Sequence, residues 1–430
     1  MRPNIVFITC HDLGRHLGCY GQDTVASPTL DALAVRGLLF ERSFCTAPQC
    51  SPSRAALHTG RHAHANGMHG LAHDPFRWRL HADERHLAQH LRETGYRTAL
   101  FGIQHLTDAA GAPDLGYDEI HDRAPAAPLG QAASEWLATR AARAQPFYLE
   151  VGFFEPHRRW DFGDVEPDDQ LGAALPPYLP QTPEARAEVA ALQGAIAALD
   201  AAVGQIVATL ESQGLLRDTW LIFVTDHGLA MPRAKCTLYD PGIETALLMH
   251  WPGGGLAGGR RIPQMISHVD VVPSVLEALG LERPPRLHGR SFWRLLQGAY
   301  YEARDVVFAG KTFHTAWEPM RGLRTEDHKL ILNLCQDVAV NVPSDIQLSP
   351  VYPQMIEAIS ARRPPVELYD LQADPLEQDN LADQAPHQAL ERALLERLYR
   401  WMEGTGDPLL QGPVASPAWE DAIAALRRAT

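Results

Sequence analysis

Trp220-Leu221-Ile222-Phe223-Val224 is an unbroken apolar run that ends in Thr225-Asp226-His227-Gly228. A run with no polar alternation reads as a strand buried on both faces, which confines the chain to a sheet covered by helices on either side. The pattern recurs: Ile5-Val6-Phe7-Ile8 runs into the polar stretch Thr9 to Arg15, Thr98 to Phe101 into Gly102-Ile103-Gln104-His105, and Phe147 to Val151 into Phe154-Glu155-Pro156-His157. Helical patterns lie between these runs, from Ser27-Pro28 to a Gly37 stop, from Glu84 to Glu93, from Ala132 to Ala144, and from Ala185 to Leu210. The alternation predicts an α/β fold with a large, mainly parallel or mixed central sheet sandwiched by helices. Ligands in such sheets bind outside the carboxyl ends of the strands, so the polar clusters after Ile8, Phe101, Val151 and Val224 are expected to converge in one crevice.

Beyond Gly298 the pattern changes to short apolar runs at Val306 to Phe308, Lys329 to Leu332 and Val366 to Tyr369, a Pro-rich loop through Pro343 and Pro350, and a closing helix from Gln388 to Met402. This predicts a smaller C-terminal α+β subdomain with an antiparallel sheet, dividing the chain into residues 1–300 and 301–430. The Gly-rich stretch Gly253 to Gly259 lacks the Lys-Ser/Thr ending of a phosphate cradle and reads as a loop.

The 430 residues, 45% hydrophobic and 21% charged, can bury a sizeable core, which excludes disorder, collagen and coiled coil. Lys plus Arg number 38 against 52 Asp plus Glu, a net charge of −14 that repels polyanions, so nucleic acid is not an expected partner and an anionic substrate needs a locally basic pocket. Six scattered cysteines suit reduced thiols and a cytoplasmic chain. The run Ile5 to Ile8 is too short for a signal core or a membrane span, so no membrane partner is expected either.

Cys50-Ser51-Pro52-Ser53-Arg54 leads into Leu57-His58-Thr59-Gly60-Arg61. Pro52 suits the opening of a helix and Gly60 its end, which places Cys50 just before a helix N-terminus, where free N–H groups and the dipole favour an anion and lower a thiol's pKa. Taken alone, that placement equally fits a small buried thiol at a helix cap. Asp12, after His11 at the end of the first run, and Asp226-His227 at the end of another supply carboxylate and imidazole donors for a divalent cation, and each pair alone also fits an ordinary hydrogen-bonded strand end.

The pattern Cys50-x-Pro52-x-Arg54 followed by Leu57-x-Thr59-Gly60-Arg61 resembles the signature of the sulfatase family. His64-Ala65-Asn66-Gly67-Met68-His69-Gly70-Leu71, Pro156-His157-Arg158, Leu238-Tyr239-x-Pro241-Gly242 and Pro319-Met320-Arg321 are similar to its N-sulfoglucosamine sulfohydrolase (heparan sulfamidase) branch. The resemblance implies that Cys50 is converted by a formylglycine-generating maturation enzyme to formylglycine, whose hydrated aldehyde is the nucleophile, with Arg54 in its support. It implies one divalent metal held by His11, Asp12, residue 50, Asp226 and His227. Calcium is the usual family ion, and the imidazole nitrogens admit manganese or another transition ion. It further implies that His105 matches the Gly-Lys-x-His element, that His157 matches the Pro-His element and protonates the leaving group, and that Lys235 is the basic residue contacting the sulfate. The expected substrate is a small sulfated or N-sulfated sugar.

Two positions depart from the family pattern. His11 stands where the first of two adjacent Asp is usual, and Ile103 replaces the Lys of Gly-Lys-x-His, leaving Gln104 as a neutral donor in its place. Two other functions share these residues: a phosphonate monoester or phosphodiester hydrolase using the same modified cysteine, and a non-catalytic sulfated-glycan binding protein with unmodified Cys50. The pattern leaves a homo-oligomer open.

Overall fold

The computed structural model of the chain describes residues 2–140, 145–336 and 340–429. Nine strands form the first sheet: β1 (Asn4–Cys10), β2 (Leu38–Phe44), β3 (Arg97–Gly102), β4 (Glu119–His121), β5 (Phe147–Gly152), β6 (Thr219–Thr225), β7 (Glu244–Thr245), β8 (Leu247–His250) and β9 (Arg260–Ser267). Their order is β4-β3-β5-β1-β6-β8-β2-β7, with β9 also paired to β2. The five strands from β4 to β6 are all parallel, and β8 then turns the sheet mixed by pairing antiparallel with both β6 and β2.

Alternate residues of β1 face opposite ways, as the pleat requires. Val6 and Ile8 pack with Leu30, Leu129 and Leu199 on one face, and Ile5 and Phe7 pack with Leu57, Leu91 and Val275 on the other. Every residue of β6 is buried, so the continuous apolar run is explained by cover on both faces. The 30-residue helix Pro183–Ser212 is long and apolar enough to cross a membrane, and here it is the principal core helix on the first face.

A second, four-stranded antiparallel sheet runs β10 (Val307–Phe313), β11 (Trp317–Arg324), β12 (His328–Asn333) and β13 (Val366–Asp370) in sequence order. The helix Gln388–Gly404 covers one face through Leu394, Leu398 and Met402, and the opposite face packs on Leu238, Tyr239 and Phe44 of the larger unit.

Several expected boundaries move. The helix expected over Ala132 to Ala144 spans Ala126–Ala138, because the chain enters it from Pro125, and residues 141–144 lie outside the described residues. The helix expected from Glu84 starts at Leu87, where the His86 side chain caps it. The run at Val306 to Phe308 extends to Phe313, since polar Lys311 and Thr312 are buried and hydrogen-bonded inside the sheet.

Candidate active site

The strand ends and one helix start meet at a single point. Cys50 is the first residue of the helix Cys50–Thr59, which opens two residues earlier than Pro52 suggested, and it is 2% exposed. Its thiol lies 3.4 Å from His227 Nε2 beyond β6, and His227 Nε2 lies 3.0 Å from Asp12 Oδ1 beyond β1. His227 Nδ1 donates to the Gly228 carbonyl at 3.0 Å, which turns Nε2 toward the site. Asp226 Oδ1 accepts from the backbone N–H groups of Asp12 and His227 at 3.0 and 2.8 Å, and Oδ2 faces His11 Nδ1 at 3.2 Å.

Arg54 is fully buried one helical turn along from Cys50. Its guanidinium donates to Asp226 Oδ2 at 3.1 Å, Thr9 Oγ1 at 2.9 Å, the Cys10 carbonyl at 3.2 Å and the Ile103 carbonyl at 3.4 Å. Those bonds tie the helix to the ends of β1, β3 and β6. Arg54 therefore supports Asp226 and the strand ends rather than touching the Cys50 thiol directly.

His11, Asp12, Cys50 and Asp226 each offer a ligand atom within 4.8 Å of the others, and all four residues are buried. Neither nitrogen of His11 makes a hydrogen bond, and Oδ1 of Asp12 meets only the His227 imidazole, at 3.0 Å. Buried polar atoms without partners are costly, and a cation bound among them would satisfy Asp12 Oδ1 and one His11 nitrogen. The donor set, two carboxylates with imidazole nitrogen beside them, thus fits a divalent cation. Asp12 and His105 hold φ of 54° and 60°, a conformation non-glycine residues seldom adopt and one that recurs at functional sites.

The remaining expected residues ring this cluster. The His105 ring packs edge-on against His11 at 5.3 Å between centroids, and a ligand nitrogen of His105 lies within 4.8 Å of those of His11 and Cys50. Lys235 Nζ donates to Asp12 Oδ2 at 2.8 Å and lies 3.4 Å from His157 Nε2. His157 Nδ1–H donates to the Arg158 carbonyl, so Nε2 is the face presented to the site. The structure thus brings together all nine residues singled out in the sequence.

A family model described as Sulfatase matches residues 3–281, and one described as N-sulphoglucosamine sulphohydrolase, C-terminal, matches residues 227–351. The chain belongs to the sulfatase family. This sulfatase is 30% identical to the N-sulphoglucosamine sulphohydrolase of Homo sapiens over 96% of its own chain and 92% of the relative. Among solved structures it resembles a 2-O GAG sulfatase (TM-score 0.76, 20% identity, covering 97% of this chain and 95% of the other). It also resembles a phosphonate monoester hydrolase of Agrobacterium radiobacter (TM-score 0.72, 22% identity, 94% and 96% covered), a likeness of fold.

Burial opposes a charge on His227, yet the Asp226 and Asp12 carboxylates outweigh it and hold the imidazole well above its usual range. Burial likewise opposes the Lys235 charge and is outweighed by Asp12 and Asp345, so the ammonium persists. His11 and His105 are pushed well down, by burial first and then by the Arg54 guanidinium. His157 is lowered by burial and by Lys235, which leaves its Nε2 unprotonated and able to accept from that ammonium.

The expected donor at Gln104 is not there. Its amide donates to the Thr107 carbonyl at 2.7 Å, and its oxygen accepts from the N–H groups of Leu106 and Thr107, so the side chain closes its own turn. Three further residues escaped the sequence reading. Asp345 Oδ2 accepts from Lys235 Nζ at 2.7 Å and stands 4.0 Å from His157 Nε2. His314, just past β10, is buried with Nδ1 unpartnered, and burial and then the Lys235 and Lys311 charges push it down to about 3. His73 stacks flat on His105 at 5.4 Å. Asp345 lies in the Pro-rich loop and His314 in the short connection between β10 and β11, where no spacing links them to the strand-end clusters.

Proposed function

We propose that this sulfatase releases sulfate from a small sulfated or N-sulfated sugar, a reading carried by Lys235 and His157 converging beside the Cys50 thiol at the helix N-terminus. The likeness to the N-sulphoglucosamine sulphohydrolase supports the N-sulfated sugar. The acidic chain, at −14 net charge, supports a small substrate or a chain end over a long polyanion.

In this reading Cys50 is matured to formylglycine by a formylglycine-generating enzyme, and His11, Asp12, Asp226 and His227 with residue 50 hold one divalent ion, calcium in our proposal. The modified side chain supplies an aldehyde hydrate as nucleophile, and the ion supplies Lewis acidity that lowers the pKa of its hydroxyl. Arg54 holds Asp226 in place and so fixes the donor set. Lys235 and the N-terminal N–H groups of the helix at Cys50 bind the sulfuryl oxygens, where negative charge accumulates. A sulfuryl anion beside His157 raises the imidazole's affinity for a proton, and Nε2–H then passes that proton to the departing oxygen or nitrogen. His105, against His11 and near Cys50, accepts the proton whose removal expels sulfate from residue 50.

A panel of N-sulfoglucosamine, 4-nitrophenyl sulfate and phenyl phenylphosphonate assayed on one matured preparation tests the reading. We expect the sulfamate and the sulfate to turn over far faster than the phosphonate. A phosphonate preference contradicts it.

A further inference from the structure

An ammonium group has three hydrogens to donate, and in this structure the protein takes all three from Lys235. Asp12 Oδ2 accepts at 2.8 Å, Asp345 Oδ2 at 2.7 Å, and the unprotonated His157 Nε2 lies at 3.4 Å. A sulfuryl oxygen binding to Lys235 must therefore displace one of them. Asp12 is fully buried within the ligand cluster, and His157 is held through its other nitrogen by the Arg158 carbonyl. Asp345 stands on the four-residue helix Ser344–Gln347 in a loop of the C-terminal part, and its side chain is 16% exposed, whereas Asp12 is fully buried. Ile346 of the same short helix lines, together with Lys235, a cavity of about 330 Å³.

We infer that Asp345 is a specificity-determining residue for the proposed reaction, its carboxylate accepting a hydrogen bond from an N–H or O–H donor on the sugar beside the scissile sulfuryl group. The inference rests on the sugar-sulfate reading above and names what such a substrate must carry. When a sulfuryl oxygen takes the Lys235 hydrogen, the Asp345 carboxylate loses a charged partner in a largely desolvated place and needs another donor. An amino sugar supplies one from the nitrogen or a neighbouring hydroxyl, and a simple aryl sulfate supplies none. The same carboxylate opposes a second negative charge at this position. Ile103 and the self-bonded Gln104 add no cation to offset it, which disfavours dianions such as phosphate.

The test compares the matured enzyme with Asp345→Ala and Asp345→Asn, using N-sulfoglucosamine, 4-nitrophenyl sulfate and inorganic phosphate. For Asp345→Ala, kcat/KM on N-sulfoglucosamine should fall about 10- to 100-fold, the loss expected for a hydrogen bond to a charged group, and chiefly through KM. On 4-nitrophenyl sulfate it should rise, because Lys235 is freed. Asp345→Asn keeps an acceptor oxygen and should retain more sugar activity than Asp345→Ala. Phosphate should bind both variants about tenfold more tightly than the parent, read by calorimetry. Equal losses on both substrates, or unchanged phosphate affinity, overturn the inference in favour of a merely structural residue. If the parent enzyme cleaves neither sulfated compound, the sugar-sulfate reading fails on its own, and the phosphate titration still decides whether Asp345 controls the anion site.

Discussion

The helix Cys50–Thr59 carries a buried group of imidazoles and carboxylates at each end. At its start Cys50 faces His11, Asp12 and Asp226, and near its last turn His58 faces Glu150 with His86 stacked on it at 4.5 Å. The two groups look alike in composition, and the number of lone pairs each can offer a metal separates them. Both ends leave atoms without hydrogen-bond partners, the two His11 nitrogens and Asp12 Oδ1 at the Cys50 end, the two His58 nitrogens and Glu150 Oε1 at the other. At the other end Glu150 Oε2 already accepts from the hydroxyls of Tyr117 and Tyr148 at 2.6 and 2.7 Å, and Oε1 faces His58 Nε2 at 3.3 Å. His86 Nδ1 accepts from the Ala88 N–H at 3.0 Å, so the neutral ring carries its hydrogen on Nε2 and has no lone pair left for a metal. Two donors are too few to hold a divalent ion in a protein interior. Residue types alone therefore overstate the second group, and the position of one ring hydrogen decides the matter.

The contrast predicts opposite outcomes along one helix. Cys50→Ala should abolish turnover, a loss on the order of a million-fold as for other removed nucleophiles, while leaving the thermal midpoint near the parent's. His58→Ala that abolished turnover equally in a stably folded protein would break the comparison. Next in size, His157→Ala should lower kcat by about 10²- to 10⁴-fold on substrates with poor leaving groups and far less on 4-nitrophenyl sulfate. Equal losses on both would remove His157 as the proton donor. Metal content sharpens the contrast further. Asp226→Ala should reduce bound divalent ion from one per chain to near none by elemental analysis, and Glu150→Gln should leave it unchanged.

Smaller effects belong to the second group. Burial pushes His58 and His86 down to about 3. Both rings are neutral in the folded state and charge at about pH 6.5 when unfolded, so the unfolded chain binds more protons between those values. Stability is complete above pH 6.5 and falls as pH drops toward 3, by about 1.4 kcal/mol per pH unit per group. Denaturant titrations of the parent and His58→Gln at pH 7 and 5 should show a shallower acid loss in the variant, and identical slopes would refute the assignment. Glu150→Gln, which exchanges the shared acceptor of two tyrosines for a weaker one, should cost about 1–3 kcal/mol at pH 7 in the same titration.

Much of this architecture was legible because it rests on burial. β1, β3, β5 and β6 are covered on both faces, so their apolar runs are continuous and their polar ends stand out. β2 was missed because Glu41 and Arg42 interrupt it, and each side chain finds an ionic partner in Arg261 or Glu326. β11 hides Glu318 and Arg321 inside the fold, where Lys311 and Asp407 neutralise them, and a pattern of hydrophobicity passes over such a strand. Within the site, local context marked the strand ends and the helix start as candidates, and the resemblance to the sulfatases singled out their residues. Asp345 was not, since it reaches Lys235 across a separation of 110 residues that only the folded chain closes.

The central claim is that position 50 is the nucleophile, and mass spectrometry of the peptide containing it tests that claim most directly. Protein produced with a formylglycine-generating enzyme should carry an aldehyde in place of the thiol at residue 50, and protein produced without it should carry the thiol and be inactive. An unmodified thiol under both conditions, in a protein that still cleaves sulfated sugars, would contradict the account.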